Sequence, residues 1–378
     1  MFEYETLRLI WWVLIGVLLM GFTITDGFDM GVGALVPLIG KDDSERRVMI
    51  NSIAPHWDGN QVWLITAAGA LFAAWPLVYA TSFSGLYFIM LLALVALWLR
   101  PVGLDYRSKI EHSTWRHYWD IGIAISGFVP PFIFGLVFGN VLQGIPFQLS
   151  ELLMPSYHGS FLALFNPFAL LCGLLSVGMI LLQGSAWLQM KTTGSLYCRA
   201  SRLAQWLGCL IALVFMIGGW WVQHMDGYII TTLLDHNAVS NPLNKQVQVE
   251  TGAWLNNFSA YPLLWIAPGL GVIMPLLASL ASRNGKGGWA FLSSSLGNAS
   301  IILTAGLALF PFIIPSSLMP SHSLTLWDST SSELTLNIMT AVAFVMVPLI
   351  LAYTSWSYYK MFGRLNRQYI EDNKHSLY

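Results

Sequence analysis

Nine stretches of this chain stay apolar for roughly twenty residues or more, and that pattern decides most of what it can fold into. A hydrocarbon layer about 30 Å thick is crossed by about 20 residues of helix. Within that layer each backbone N–H and C=O must be bonded inside its own segment, so helices are the expected spanning elements. The runs lie roughly at 7–36, 62–80, 84–103, 121–146, 161–189, 203–223, 261–283, 289–312 and 335–357. They predict an all-α polytopic membrane protein of about nine transmembrane helices, forming one integral domain over 1–378. Charged residues make up only 10% of the chain, whereas soluble domains carry about 25%. So few charges cannot clothe a water-facing surface, so the two or three soluble domains that length alone suggests are set aside. A net charge of −1 and the lack of a long Lys/Arg block exclude nucleic acid as a partner.

Lys and Arg set the direction. With the N-terminus outside, sixteen of the eighteen fall in inner segments, and only Arg8 and Lys245 fall outside. A missed or false helix would scramble this segregation. An odd number of spans then places the C-terminus in the cytoplasm. The opening MFEYETLRLIWW has no basic leader and no small-residue cleavage site, so it reads as the start of a retained helix. The first run is too long for one straight span. Gly27, Gly31 and Gly33 are candidates for a break, and projection past the inner interface is the alternative. Pro130–Pro131 predicts a kink in the fourth span. Gly135 and Gly139 form a weak small-xxx-small signal for close helix approach. Cys172, Cys198 and Cys209 show no CxxC spacing, which argues against a zinc site or a disulfide framework.

Charges at the membrane need a reason. Asp26 and Asp29 stand three apart in TDGFDMG, so both carboxylates share a helix face. Asp58 lies in PHWDGNQVW, Arg100 and Asp105 in LRPVGLDYR, and Asp120 opens the fourth span. All collect at the cytoplasmic side. One reading is helix capping, most natural for Asp120 and available to Asp58. Another is internal pairing, with Arg100 as the partner for Asp26 or Asp29. The third is a proton or cation path. His56, beside Asp58, is either an interfacial histidine with its hydrogen bond satisfied or a relay. The eight histidines sit outside or at the edges of the apolar runs. A buried haem takes axial His or Met from its helices, so this chain is poorly equipped to hold one. Most of the 17 Trp and 14 Tyr read as interfacial belts, which leaves an aromatic quinone pocket as the minority reading.

TDGFDMG, PHWDGNQVW, RPVGLDYR and SLTLWDSTSSELTL resemble the second subunit of the cytochrome bd-type quinol oxidases, over essentially the whole chain. FEYETLRLIWW and SWSYYKMFGR resemble the long quinol-loop enterobacterial type, the bd-II isoform more than bd-I. The resemblance implies two four-helix bundles and one peripheral helix, in the bacterial inner membrane. It implies a complex that oxidises quinol and reduces O2 to water. The partner, subunit I, would hold haem b and haem d, and this chain none. One or more small single-span subunits complete the assembly, and some members hold a structural quinone. The resemblance also places Asp58, Asp105, Lys109 and Tyr378 on a path for cytoplasmic protons, and Trp63 beside a lateral oxygen route. The rival reading is a secondary transporter or channel, which glycine- and proline-interrupted spans and intramembrane acids would suit. Acids gathered at one face instead of the midplane speak against it. A purely structural membrane scaffold is the third possibility.

Overall fold

A computed structural model describes residues 2–366 and 368. Among these residues twelve α-helices run in chain order. The first, α1 (Tyr4–Ile39), has 36 residues and continues unbroken through Gly27, Gly31 and Gly33. At about 1.5 Å per residue it is roughly 54 Å long, so it projects beyond the bilayer core instead of breaking. A short amphipathic helix, α2 (Asp43–Ile53), is capped by Asp42, whose carboxylate accepts the Glu45 N–H. The second span differs from the 62–80 expectation. Helix α3 (Trp57–Ala74) begins earlier, and the chain turns by 119° at Trp75 into α4 (Pro76–Gly85). Pro76 at the first helical position lacks the N–H that would extend α3.

The remaining long helices are α5 (Tyr87–Tyr106), α6 (Ser113–Gln143), α7 (Pro167–Lys191) and α8 (Gly194–Gln223). After the short α9 (Asn256–Ala260) come α10 (Ile266–Arg283), α11 (Gly287–Leu309) and α12 (Glu333–Lys360). Among the described residues eight helices are long and apolar enough to cross a membrane, or nine if the bent α3–α4 pair counts as one. Helix α6 runs as a single helix through Pro130–Pro131.

Helices α1, α3, α5 and α6 form one group and α7, α8, α10 and α11 the other, joined where α1 and α6 meet α7. Helix α12 packs chiefly on α1 and α3 and is mostly exposed. Glycines set the spacing of the central helices. A Cβ on Gly184 would lie 2.5 Å from the carbonyl carbon of Gly31, and one on Gly127 2.5 Å from the Ala34 nitrogen. A Cβ on Gly139 would lie 2.7 Å from Ala169 Cα on α7, so the weak Gly135/Gly139 signal marks the α6–α7 contact.

Three antiparallel hairpins cover one end: β1–β2 (Phe147–Leu149, Pro155–Tyr157), β3–β4 (Asp226–Ile230, Val247–Thr251) and β5–β6 (Phe312–Ile314, Leu324–Thr325). Arg8 and Lys245, the cations of this end, are both buried. Arg8 donates to the His236 carbonyl at 2.5 Å and to the Ala238 carbonyl at 3.0 Å, and Lys245 lies 2.8 Å from Asp328. They clamp loops to the helix ends and present no cation to lipid headgroups. The opposite end carries the other described Lys and Arg.

Candidate functional site: the polar cluster at the basic end

Arg8 pins α1 to the hairpin end, so Asp26 lies roughly 27 Å further down the axis, near the far boundary of a 30 Å core. There α1, α3, α5 and α12 converge on a buried polar cluster. Asp26 and Asp29 are both 0% exposed and Arg100 is 1% exposed. Arg100 grips Asp26 with both terminal nitrogens, and the Nη2 bond measures 3.4 Å. Asp29 instead accepts from Asn60 Nδ2 at 2.7 Å, and Asn60 Oδ1 accepts from Tyr358 at 2.5 Å. The shared face expected for the two acids is present, but only Asp26 bonds Arg100 directly. His56 is buried, its ring stacked on Tyr358 with centroids 4.4 Å apart. Burial, helped by Lys191, pushes the imidazole down to about 4. It is therefore neutral at physiological pH and poorly matched to accepting protons there.

A second cluster lies closer to the basic surface. Asp120 is fully buried, seven residues into α6, so it does not cap that helix. Its carboxylate accepts from Arg107 Nε at 2.5 Å and from Arg46 Nη1 at 2.8 Å. Arg107, 1% exposed, also reaches Asp43 at 2.9 Å, and Asp43 in turn holds Arg116 at 2.7 Å. The capping expectation for Asp120 is thus corrected: it bolts α2, α5 and α6 together. Glu45 does similar work between α2 and α8, pairing with Arg199.

Asp58, Asp105 and Lys109 are a third set with a different character. All three are exposed. Asp58 sits in the first turn of α3, Asp105 in the last turn of α5, and Lys109 just beyond it. None takes part in the ion pairs found among the described residues. Trp63, half-buried on α3, lies over Gly21 of α1. Tyr378 falls outside the described residues. Asn60, Tyr358, Arg107, Asp43 and Glu45 were not singled out by sequence. Only Arg107 carried a signal, seven residues after Arg100 and so on the same helical face.

At the hairpin end a cavity of about 390 Å³ is lined by Thr81, Tyr87, Phe88, Tyr157 and Phe161, among others. Among the described residues no three His, Cys, Asp or Glu side chains are grouped as metal ligands.

The family described as cytochrome bd terminal oxidase subunit II matches residues 7–361 of this chain. The chain belongs to that family. It is therefore a membrane-embedded subunit II of a bd-type terminal oxidase, and its counterpart is subunit I. A cytochrome bd-I ubiquinol oxidase subunit 2 from Escherichia coli K12 is 59% identical over 379 residues, covering 100% of both chains. A probable cytochrome oxidase subunit 2 from Haemophilus influenzae is 56% identical over the same span, again covering 100% of both. The bd oxidase structure from Geobacillus thermodenitrificans superposes with a TM-score of 0.65 at 16% identity, covering 95% of this chain and 99% of that one. At that identity the likeness speaks for the fold alone. The transporter reading falls with the family match.

Proposed function

We propose that this chain is the haem-free second subunit of an oxidase that couples quinol oxidation to reduction of O2 to water. In this reading haem b and haem d belong to subunit I. The placement of the eight histidines outside or at the edges of the apolar runs supports it, since a buried haem takes axial ligands from its helices. The relatives named as ubiquinol oxidase subunits support quinol as the electron donor. The aromatic cavity at the hairpin end is the candidate seat for a structural quinone. One or more small single-span subunits are expected beside subunit I. The opening and closing segments support the bd-II isoform, and 59% identity to the E. coli bd-I subunit is consistent with a distinct isoform. The assignment of sixteen of the eighteen Lys and Arg to one set of connecting segments supports a cytoplasmic basic end, a periplasmic N-terminus and a cytoplasmic C-terminus in the bacterial inner membrane.

The observation that carries the mechanistic reading is the contrast at the basic end. Asp43, Glu45 and Asp120 are neutralised by arginines, whereas Asp58, Asp105 and Lys109 are exposed and outside those pairs. A proton relay needs groups free to bind and release protons, and a salt-bridged carboxylate is held ionised. Oxygen reduction consumes protons. Drawing them from the cytoplasm while quinol oxidation releases protons outside builds a gradient. We assign Asp58, Asp105 and Lys109 to proton uptake, with Tyr378 as a further member, and the surface at Trp63 to lateral oxygen access. In the assembled oxidase, Asp58→Asn should lower turnover per haem with haem content unchanged, while Glu250→Gln at the hairpin end leaves turnover intact. Full turnover per haem in both Asp58→Asn and Asp105→Asn would place proton uptake in the partner subunit.

A further inference from the structure

Among the described residues, the cluster around Asp29 holds two carboxyl groups and one guanidinium, and their charges do not balance. Asp26, Asp29 and Arg100 are all more than nine-tenths buried. Arg100 spends both terminal nitrogens on Asp26, and Asp29 receives one neutral donor, Asn60 Nδ2 at 2.7 Å. The charged groups facing Asp29 are Asp26 on its own helix and Arg100 on α5. From the other elements come Asn60 on α3 and Tyr358 on α12, with neutral His56 stacked behind Tyr358. Lys191, beyond His56, is bonded to the Met361 carbonyl at 2.8 Å. Two polar atoms in this enclosure are buried without a hydrogen-bond partner, Asp29 Oδ1 and Arg100 Nε.

With both acids ionised, the cluster would hold one net negative charge out of water. An uncompensated charge in such a place is costly, and a carboxylate there takes up a proton instead. Asp26 is fixed as the ionised member by its two-pronged grip on Arg100. The proton therefore falls to Asp29. Its Oδ2 is committed as acceptor to Asn60, which leaves Oδ1 to carry the hydrogen.

We propose that Asp29 is a proton-binding site, holding one proton on Oδ1 at neutral pH at the inner boundary of the membrane core. Loading is a simple protonation from water at the basic end, with no electron transferred. This site stands apart from Asp58, Asp105 and Lys109, so its test does not depend on their role.

Asparagine imitates a protonated aspartate: its carbonyl can accept from Asn60 while its NH2 takes the place of the Oδ1 hydrogen. In the purified complex, Asp29→Asn should keep the wild-type yield, haem content and thermal midpoint. The infrared spectrum should lose one protonated-carboxyl band relative to wild type. Asp26→Asn should lose that same band although Asp29 is intact, because Asp29 then becomes the counter-ion of Arg100 and ionises. Failure of Asp29→Asn to assemble would overturn the proposal, as would a protonated-carboxyl band unchanged by it. A wild-type thermal midpoint that falls when sodium and potassium are replaced by choline would also overturn it, by showing that a metal cation balances the charge.

Discussion

Asp120→Asn separates structural from functional acids at the basic end. As a helix cap, Asp120 would contribute about 0.5–2 kcal/mol. The structure argues for more. The carboxylate is fully buried and bonds Arg107 at 2.5 Å and Arg46 at 2.8 Å. Removing one partner of a buried pair costs about 3–5 kcal/mol, because the other charge is left uncompensated out of water. Two features moderate this. Arg107 keeps Asp43 at 2.9 Å, and Arg46, partly exposed, can turn to solvent. The expected loss is therefore about 3 kcal/mol, the lower end of that range. The assay is denaturant or thermal unfolding of the purified complex, with haem per complex followed alongside. Asp58→Asn is the reference: it sits outside the ion pairs on the surface and should change stability by no more than about 0.5 kcal/mol. A loss below about 1 kcal/mol for Asp120→Asn would refute the claim that this triad holds α2, α5 and α6 together.

Gly31→Ala should reduce the yield of assembled oxidase, because its Cβ would strike the Ile180 carbonyl and approach Gly184 N at 2.9 Å; backbone on both sides cannot yield, and overpacking costs about 1–3 kcal/mol. Gly16→Ala, with nothing within 4 Å, should be neutral or stabilising, and equal yields for the two would undo the argument. His56 is pushed from 6.5 down to about 4 by burial. The unfolded chain thus binds the extra proton first, so this contribution is intact above pH 6.5 and is lost as pH falls from 6.5 towards 4. His56→Phe keeps the stacking on Tyr358 but has no proton to gain, so its thermal midpoint should fall less on acidification than that of wild type. Expressed without subunit I, this chain should show no haem absorbance. An ordinary b-type spectrum from the chain alone would require a Met or a helix-end histidine as ligand.

Hydropathy and charge segregation in the sequence determined that this is a helical membrane protein of about nine spans with one basic end, because a bilayer imposes length and apolarity on each segment separately. Short acidic motifs at the span ends carried the family. What the sequence left open depended on which helices meet. Asp120 read as a cap because it opens an apolar run, but α6 starts a full two turns earlier and Arg107 comes from a different helix. Gly27, Gly31 and Gly33 left a break and an over-long helix both open, since glycine weakens an isolated helix. The fold uses Gly31 as the seat of α7, where packing recovers what propensity loses. Asn60 and Tyr358 carried no signal, being 298 positions apart and neutral. Only the docking of α12 beside α3 joins them to Asp29, and only the enclosure of Asp26 and Asp29 around a single arginine turns two acidic letters into a question of where one proton resides.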